Sequence, residues 1–123
     1  MSLILAIAFG SAVGGVSRYL LGAWIQRLAG GQLPLHTLLI NITGSFLLGF
    51  LYRYGADTAA YSAEWCGLLM IGFCGGYTTF STFSLETIAL IQAGSSGKAA
   101  LYVLSSVILS IGAAAAGMIV GRR

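Results

Sequence analysis

Four stretches of this chain contain no charged side chain, and their lengths constrain its fold more than any other feature. They cover residues 1–17, 28–52, 65–85 and 99–121 of the 123-residue sequence. A helix crosses the ~30 Å hydrocarbon core of a bilayer with about 20 apolar residues. The sequence therefore predicts an all-α membrane protein, a single domain of four transmembrane helices at approximately residues 3–23, 35–54, 65–92 and 99–120.

The composition excludes a soluble domain. Charged residues make up 7% of the chain and hydrophobic residues 58%, whereas a soluble domain carries about 25% charged residues and cannot bury so much apolar surface at this size. The net charge of +3 does not indicate a nucleic-acid partner, because the basic residues are scattered singly or paired at Arg122 and Arg123, without a basic stripe. The expected surroundings are the lipid bilayer.

The charges that flank the spans predict no clear orientation. With four spans, three basic residues lie on one side, Arg53, Arg122 and Arg123, and two on the other, Arg27 and Lys98. Arg18 lies inside the first span, near the second side. The positive-inside rule needs a stronger imbalance to orient a protein. The sequence thus permits insertion both ways, and equally a single orientation decided by folding partners.

Two spans carry a line of polar side chains spaced four residues apart. These are Thr37, Asn41 and Ser45 in the second span and Tyr102, Ser106 and Ser110 in the fourth. Such spacing places each set on one helix face, where donors in a line let an anion shed water without a fixed counter-charge that would trap it. Alternatively, the hydroxyls bond to their own helix and only hold helices together. The Asn41 carboxamide cannot be satisfied by its own helix. Because four helices hardly enclose an aqueous path alone, we expect an oligomer.

The third span contains the densest pattern, GFCGGYTTFSTFS at residues 72–84. Two glycines followed by hydroxyl and β-branched residues weaken a helix, so we expect a break near residues 75–79. Irregular backbone at membrane depth is buried or lines a cavity, and its freed carbonyls can coordinate a cation. Phe80 and Phe83 then share one face, where their positive ring edges attract an anion weakly. The alternative is two core phenylalanines.

These segments, with GGVSRY at residues 14–19 and TLLINITGSF at residues 37–46, resemble the small bacterial fluoride channels of the Fluc or CrcB family over essentially the whole chain. The resemblance implies an antiparallel, dual-topology homodimer in the bacterial cytoplasmic (inner) membrane. It implies two pores for passive, electrogenic fluoride export that protects against fluoride toxicity. It also implies a structural sodium ion on the two-fold axis, held by both broken third helices.

The resemblance further implies roles for individual residues. The sodium ligands fall on the backbone carbonyls of Gly75 and Thr78. The pore residues it implies are Asn41, the ring edges of Phe80 and Phe83, and the polar side chains of Ser81 and Thr82. We extend the pore along the two polar lines, mainly on their spacing, to Thr37, Tyr102, Ser106 and Ser110.

Two charged residues inside the spans need a separate explanation. Arg18 and Glu86 both lie late in spans that run in the same direction. We therefore expect them to form a charge pair near one interface, with separate snorkelling to water as the alternative.

Other functions make different demands on the sequence. A small proton-coupled multidrug exporter of dual topology needs an ionisable carboxylate in its path, but the first span has none and Glu86 is peripheral. A passive structural membrane subunit would use its polar lines only for helix contacts. An enzyme is not expected, because no nucleophile, base and orienting group converge.

Overall fold

The computed structural model describes residues 2–58 and 61–122. It contains four helices long and apolar enough to cross a membrane, Leu3–Ala29, Leu35–Asp57, Ala63–Gln92 and Ser96–Val120. The prediction of an all-α chain with four such helices is therefore confirmed.

The first two helices are longer than the predicted spans. Helix α1 covers Leu3–Ala29 and ends at Gly30, whose φ of 65° lies in the left-handed region that glycine adopts without a Cβ clash. Arg27 lies in its last turn, where a cation faces the helix carbonyls favourably. Helix α2 covers Leu35–Thr58 and starts directly after Pro34, whose carbonyl accepts the Leu38 N–H at 3.2 Å.

The third span is divided into several segments. Helix α3 (Ala63–Cys66) leads into a π-helical segment (Gly67–Cys74), which is followed by α4 (Gly75–Tyr77) and α5 (Phe80–Gln92). Between α4 and α5 the backbone is extended, with φ and ψ of −83° and 158° at Thr78 and −153° and 114° at Thr79. Gly75 is itself helical, with φ −64° and ψ −38°. The extended residues are thus β-branched threonines rather than glycines.

Close glycine contacts join the helices in pairs. Helix α6 (Ser96–Val120) follows a turn at Gly94, whose φ is 75°. A Cβ on Gly117 of α6 would collide with the Phe46 carbonyl of α2, and one on Gly14 of α1 with the Phe73 carbonyl of the π-helical segment. Small residues let membrane helices approach this closely. The two pairs, α2 with α6 and α1 with the third span, position the polar side chains described next.

Candidate functional site

Asn41 of α2 holds the extended residues between α4 and α5. Its Nδ2 donates to the Thr79 carbonyl at 3.1 Å, and its Oδ1 accepts the Thr79 N–H at 2.8 Å. One carboxamide therefore bonds to both polar groups of a residue that no helix satisfies. This pairing explains how an asparagine is tolerated at membrane depth.

At the same segment, two N–H groups that would bond to backbone carbonyls in a continuous helix donate elsewhere. In an unbroken α-helix the Thr79 N–H would bond to the Gly75 carbonyl, and the Thr82 N–H to the Thr78 carbonyl. Here the Thr79 N–H donates to Asn41, and the Thr82 N–H donates to Thr79 Oγ1 at 3.2 Å. The Gly75 and Thr78 carbonyls thus lose their helical donors, and carbonyls at the end of a half-helix or in unwound backbone coordinate sodium in membrane proteins.

A side-chain metal site is absent from the part of the chain that the structure describes. No three His, Cys, Asp or Glu side chains come together within residues 2–58 and 61–122. A cation held here would consequently depend on backbone, hydroxyl or amide oxygens. The Gly75 and Thr78 carbonyls are hard oxygen donors, the ligand type that hard cations prefer.

Three hydroxyls cluster at the start of α5. Thr79 Oγ1 lies 3.3 Å from Ser81 Oγ and donates to Thr82 Oγ1 at 3.0 Å. Thr79 also caps α5 by accepting the Thr82 N–H. Ser81 and Thr82 therefore lie beside the extended segment, with Ser81 exposed and Thr82 half-buried.

A cavity of about 290 Å³ lies beside the extended segment, and Thr78 and Thr79 are part of its lining. Its polar lining includes Asn41 and Ser45 of α2 and Ser106 and Ser110 of α6, and its aromatic lining is Phe80 and Phe83 of α5. The structure thus brings together side chains from three helices, of which α2 is far from α5 and α6 in sequence. None of the described lining residues is charged.

Ser106 has the most informative environment in this cavity. The residue is 7% exposed, and among the described residues its Oγ has no hydrogen-bond partner. A buried hydroxyl without a partner costs about 1–3 kcal/mol. Because Ser106 lines the cavity beside Asn41 and Ser110, its hydroxyl is available to a species that occupies the cavity.

The two phenylalanines differ in their surroundings. Phe80 is 78% exposed, and its ring lies 5.4 Å from that of Phe83 at an angle of 45°. Phe83 lies 5.3 Å from the ring of Tyr102 at 50°. These tilted pairs are geometries in which ring edges approach neighbouring groups. Phe83 consequently connects the cavity with Tyr102.

The two polar lines meet at Glu86 of α5. Thr37 Oγ1 donates to its Oε1 at 2.9 Å, and the Tyr102 hydroxyl donates to its Oε2 at 2.7 Å. Both donors are buried, with Thr37 1% and Tyr102 2% exposed. The third neighbour of this carboxylate is His36, whose Nε2 lies 3.2 Å from Oε1.

The predicted charge pair between Arg18 and Glu86 is not formed. Among the described residues, the ion pairs within 4 Å join His36 to Glu86 and Arg53 to Asp57. The Glu86 carboxylate is surrounded from α2 and α6, whereas Arg18 lines a different cavity, together with His36 and Thr37. Sequence reasoning missed His36, although it is the sole histidine and precedes Thr37 directly.

Comparison with known proteins places the chain in a family. The sequence profile described as CrcB-like protein, Camphor Resistance (CrcB), matches residues 5–118. A protein of Agrobacterium fabrum named fluoride-specific ion channel FluC is 45% identical over 119 residues, which cover 97% of this chain and 95% of the relative. A protein of the same name from Coxiella burnetii is 46% identical over 121 residues, 98% of each chain. This chain is therefore a multi-pass membrane protein that belongs to the CrcB family.

Proposed function

We propose that the chain forms a fluoride-selective ion channel in the bacterial cytoplasmic membrane. Fluoride leaves the cell through it passively and electrogenically, which protects the cell against fluoride toxicity. The observation that carries this proposal is the cavity between α2, α5 and α6, whose described lining is uncharged and includes the Ser106 hydroxyl, which has no partner among the described residues. The names of the relatives support fluoride as the ion.

The lining suits a small, strongly hydrated anion. Such an ion enters a narrow path only if protein donors replace its water, and Ser106, Ser110 and Ser45 supply hydroxyls there. The edges of Phe80 and Phe83 add a weak positive potential. Because no lining residue that the structure describes is charged, the ion meets no cation that would trap it.

The polar lines extend this path beyond the cavity. Phe83 stacks at an angle against Tyr102, which contacts Glu86 together with Thr37. The proposed pore therefore runs from the cavity along Phe83 toward Thr37 and Tyr102, whose hydroxyl protons are donated to Glu86. Ser81 and Thr82 supply further hydroxyls beside the extended segment.

We propose that the functional unit is an antiparallel homodimer with the third helix broken at Thr78 and Thr79. Its structural sodium ion lies between two copies, on the carbonyls of Gly75 and Thr78 from each. The two carbonyls of one chain give a cation too few ligands, whereas two copies supply four oxygens. Gly75 is exposed and has open space where a Cβ would point, so a second copy can approach. When bound, the ion adds a positive potential near the pore.

The function is tested by efflux from liposomes that contain this protein alone. Fluoride efflux, read with an ion-selective electrode, is expected to be fast and to require valinomycin and potassium as a charge-balancing path, because the ion moves without a counter-ion. Chloride efflux from the same liposomes is expected to stay near the level of protein-free liposomes, since the larger ion does not fit the close donors.

Two results would overturn the channel. Organic-cation transport that depends on a proton gradient would identify the chain as a small multidrug exporter. Folded protein that conducts no ion when reconstituted alone would indicate a structural subunit of a larger membrane complex.

The dimer has two readouts of its own. A C-terminal tag on functional protein is expected to be accessible from both faces of the cell membrane in comparable amounts, because the flanking charges are nearly balanced. Purification with a large organic cation in place of sodium is expected to shift the protein from dimer to monomer on size exclusion. A tag on one face only would exclude the antiparallel arrangement, and an unchanged dimer without sodium would exclude the ion's structural role.

A further inference from the structure

We propose that His36 controls the charge at the pore entrance, so that fluoride conduction increases as the pH falls. This inference rests on the proposed channel function and adds a regulatory residue to it. The observation that carries it is the contact between His36 Nε2 and Glu86 Oε1 at 3.2 Å, at the point where the two polar lines meet.

His36 lies between two cavities. It occupies the first turn of α2, and its side chain is 25% exposed, against 19% for Glu86. Both residues line a cavity of about 320 Å³ beside the loop that joins α1 to α2. His36 also lines a second cavity of about 330 Å³, which reaches Thr79 and Thr82 next to the extended segment. His36 therefore borders both the loop-side cavity and the cavity that reaches the extended segment.

The other charged and titratable groups considered around this pair belong to α1 and α6. Arg18 and Tyr19 of α1 line the second cavity with His36. On α6, Tyr102 bonds to Glu86, and Lys98 Nζ donates to Gln32 at 2.9 Å beside the first cavity. Arg27 lies in the last turn of α1. Arginine and lysine stay protonated, and tyrosine stays neutral, between about pH 5.5 and 8.

His36 differs from the other ionisable groups in this set by its residue type. It is the chain's sole histidine, and histidine is the side chain that ordinarily titrates between about pH 5 and 8. With a neutral imidazole, the pair of His36 and Glu86 carries one negative charge, which repels an approaching anion. With a protonated imidazole the pair is neutral, so the local concentration of fluoride rises.

The test is the valinomycin-dependent efflux of fluoride from liposomes between about pH 5.5 and 8. We expect the rate for the unaltered chain to rise by about threefold or more on acidification. His36→Gln keeps a polar side chain without titration, and its rate is expected to stay at the alkaline level of the unaltered chain. His36→Lys keeps a permanent charge, and its rate is expected to stay at the acidic level. Protein-free liposomes correct for hydrogen fluoride, which crosses the bilayer as a neutral acid.

The matched control is Lys98→Gln. It removes a charge on the same side of the chain without removing the histidine, so its rate is expected to keep the pH dependence. His36→Gln also keeps the α-amino group of the chain, which can titrate in the same pH range. A loss of pH dependence in this variant is therefore due to the imidazole and not to the α-amino group. The same slope in His36→Gln, a flat profile in the unaltered chain, or a rate that falls in acid would each overturn the inference and leave the channel function standing. Absence of electrogenic fluoride efflux at every pH would overturn both.

Discussion

Asn41→Asp is expected to lower the rate of fluoride efflux by at least about a hundredfold. The Asn41 Nδ2 donates to the Thr79 carbonyl at 3.1 Å. A carboxylate oxygen in its place cannot donate a hydrogen bond to that carbonyl. The new negative charge also lines the cavity. At about 4 Å and an effective dielectric constant of about 20, it opposes an anion by about 4 kcal/mol, and each ~1.4 kcal/mol is a factor of ten. Efflux from liposomes of equal protein content measures the loss.

Gln92→Glu provides the matched control for this substitution. It makes the same change from amide to acid at the exposed last residue of α5, away from the cavity. We expect its efflux rate to stay within about twofold of the unaltered chain, because an exposed charge is screened by water and salt. Size exclusion verifies that Asn41→Asp remains assembled. An assembled Asn41→Asp protein that conducts at the normal rate would show that the pore does not pass Asn41.

The number of spans follows from the sequence, but their ends do not. The bilayer demands a minimum apolar length, and this demand is visible in the charge-free stretches. The ends depend on local caps instead. Helix α1 continues from the predicted residue 23 to Ala29, because the chain stays helical until Gly30 provides the left-handed turn.

The extended segment shows that composition can predict where a helix is irregular without predicting which residues leave the helix. The pattern at residues 75–79 indicates a weak helix, yet Gly75 is helical and the extended residues are Thr78 and Thr79. The deciding contact comes from Asn41 on another helix, which takes both backbone groups of Thr79. Local propensity cannot reveal a partner that is 38 residues away.

The polar cluster at Glu86 has the same explanation. A spacing of four places Thr37 and Tyr102 on the polar faces of their helices, but their meeting depends on how α2, α5 and α6 pack. The sequence predicts a pair of Arg18 and Glu86 because both lie late in spans that run in the same direction, and so at similar depth in the membrane. Depth alone does not determine which helix face is turned toward a neighbour, and the carboxylate faces His36, Thr37 and Tyr102 instead.

Gly117→Ala is expected to destabilise the fold by about 1–3 kcal/mol or more, the usual range for overpacking. The added Cβ would collide with the Phe46 carbonyl oxygen, and it would lie 2.8 Å from the Phe50 nitrogen. These are backbone atoms of α2, which cannot rotate aside as a side chain does. Helix α6 must therefore move away from α2, and Ser106 and Ser110 move away from Asn41 with it. We expect a lower thermal unfolding midpoint in detergent together with slower fluoride efflux.

Gly112→Ala distinguishes this steric effect from the general effect of alanine in a helix. Gly112 lies five residues earlier on the same helix, and apart from its own helix backbone no atom of the described residues lies within 4 Å of the position of its Cβ. Alanine is favoured over glycine in a helix interior by about 1 kcal/mol, so Gly112→Ala is expected to leave the unfolding midpoint unchanged or raise it. The two substitutions are therefore predicted to act in opposite directions. Equal midpoints for both variants would mean that α2 and α6 do not approach through Gly117. The distance between the cavity-lining residues of the two helices would then be set by other contacts.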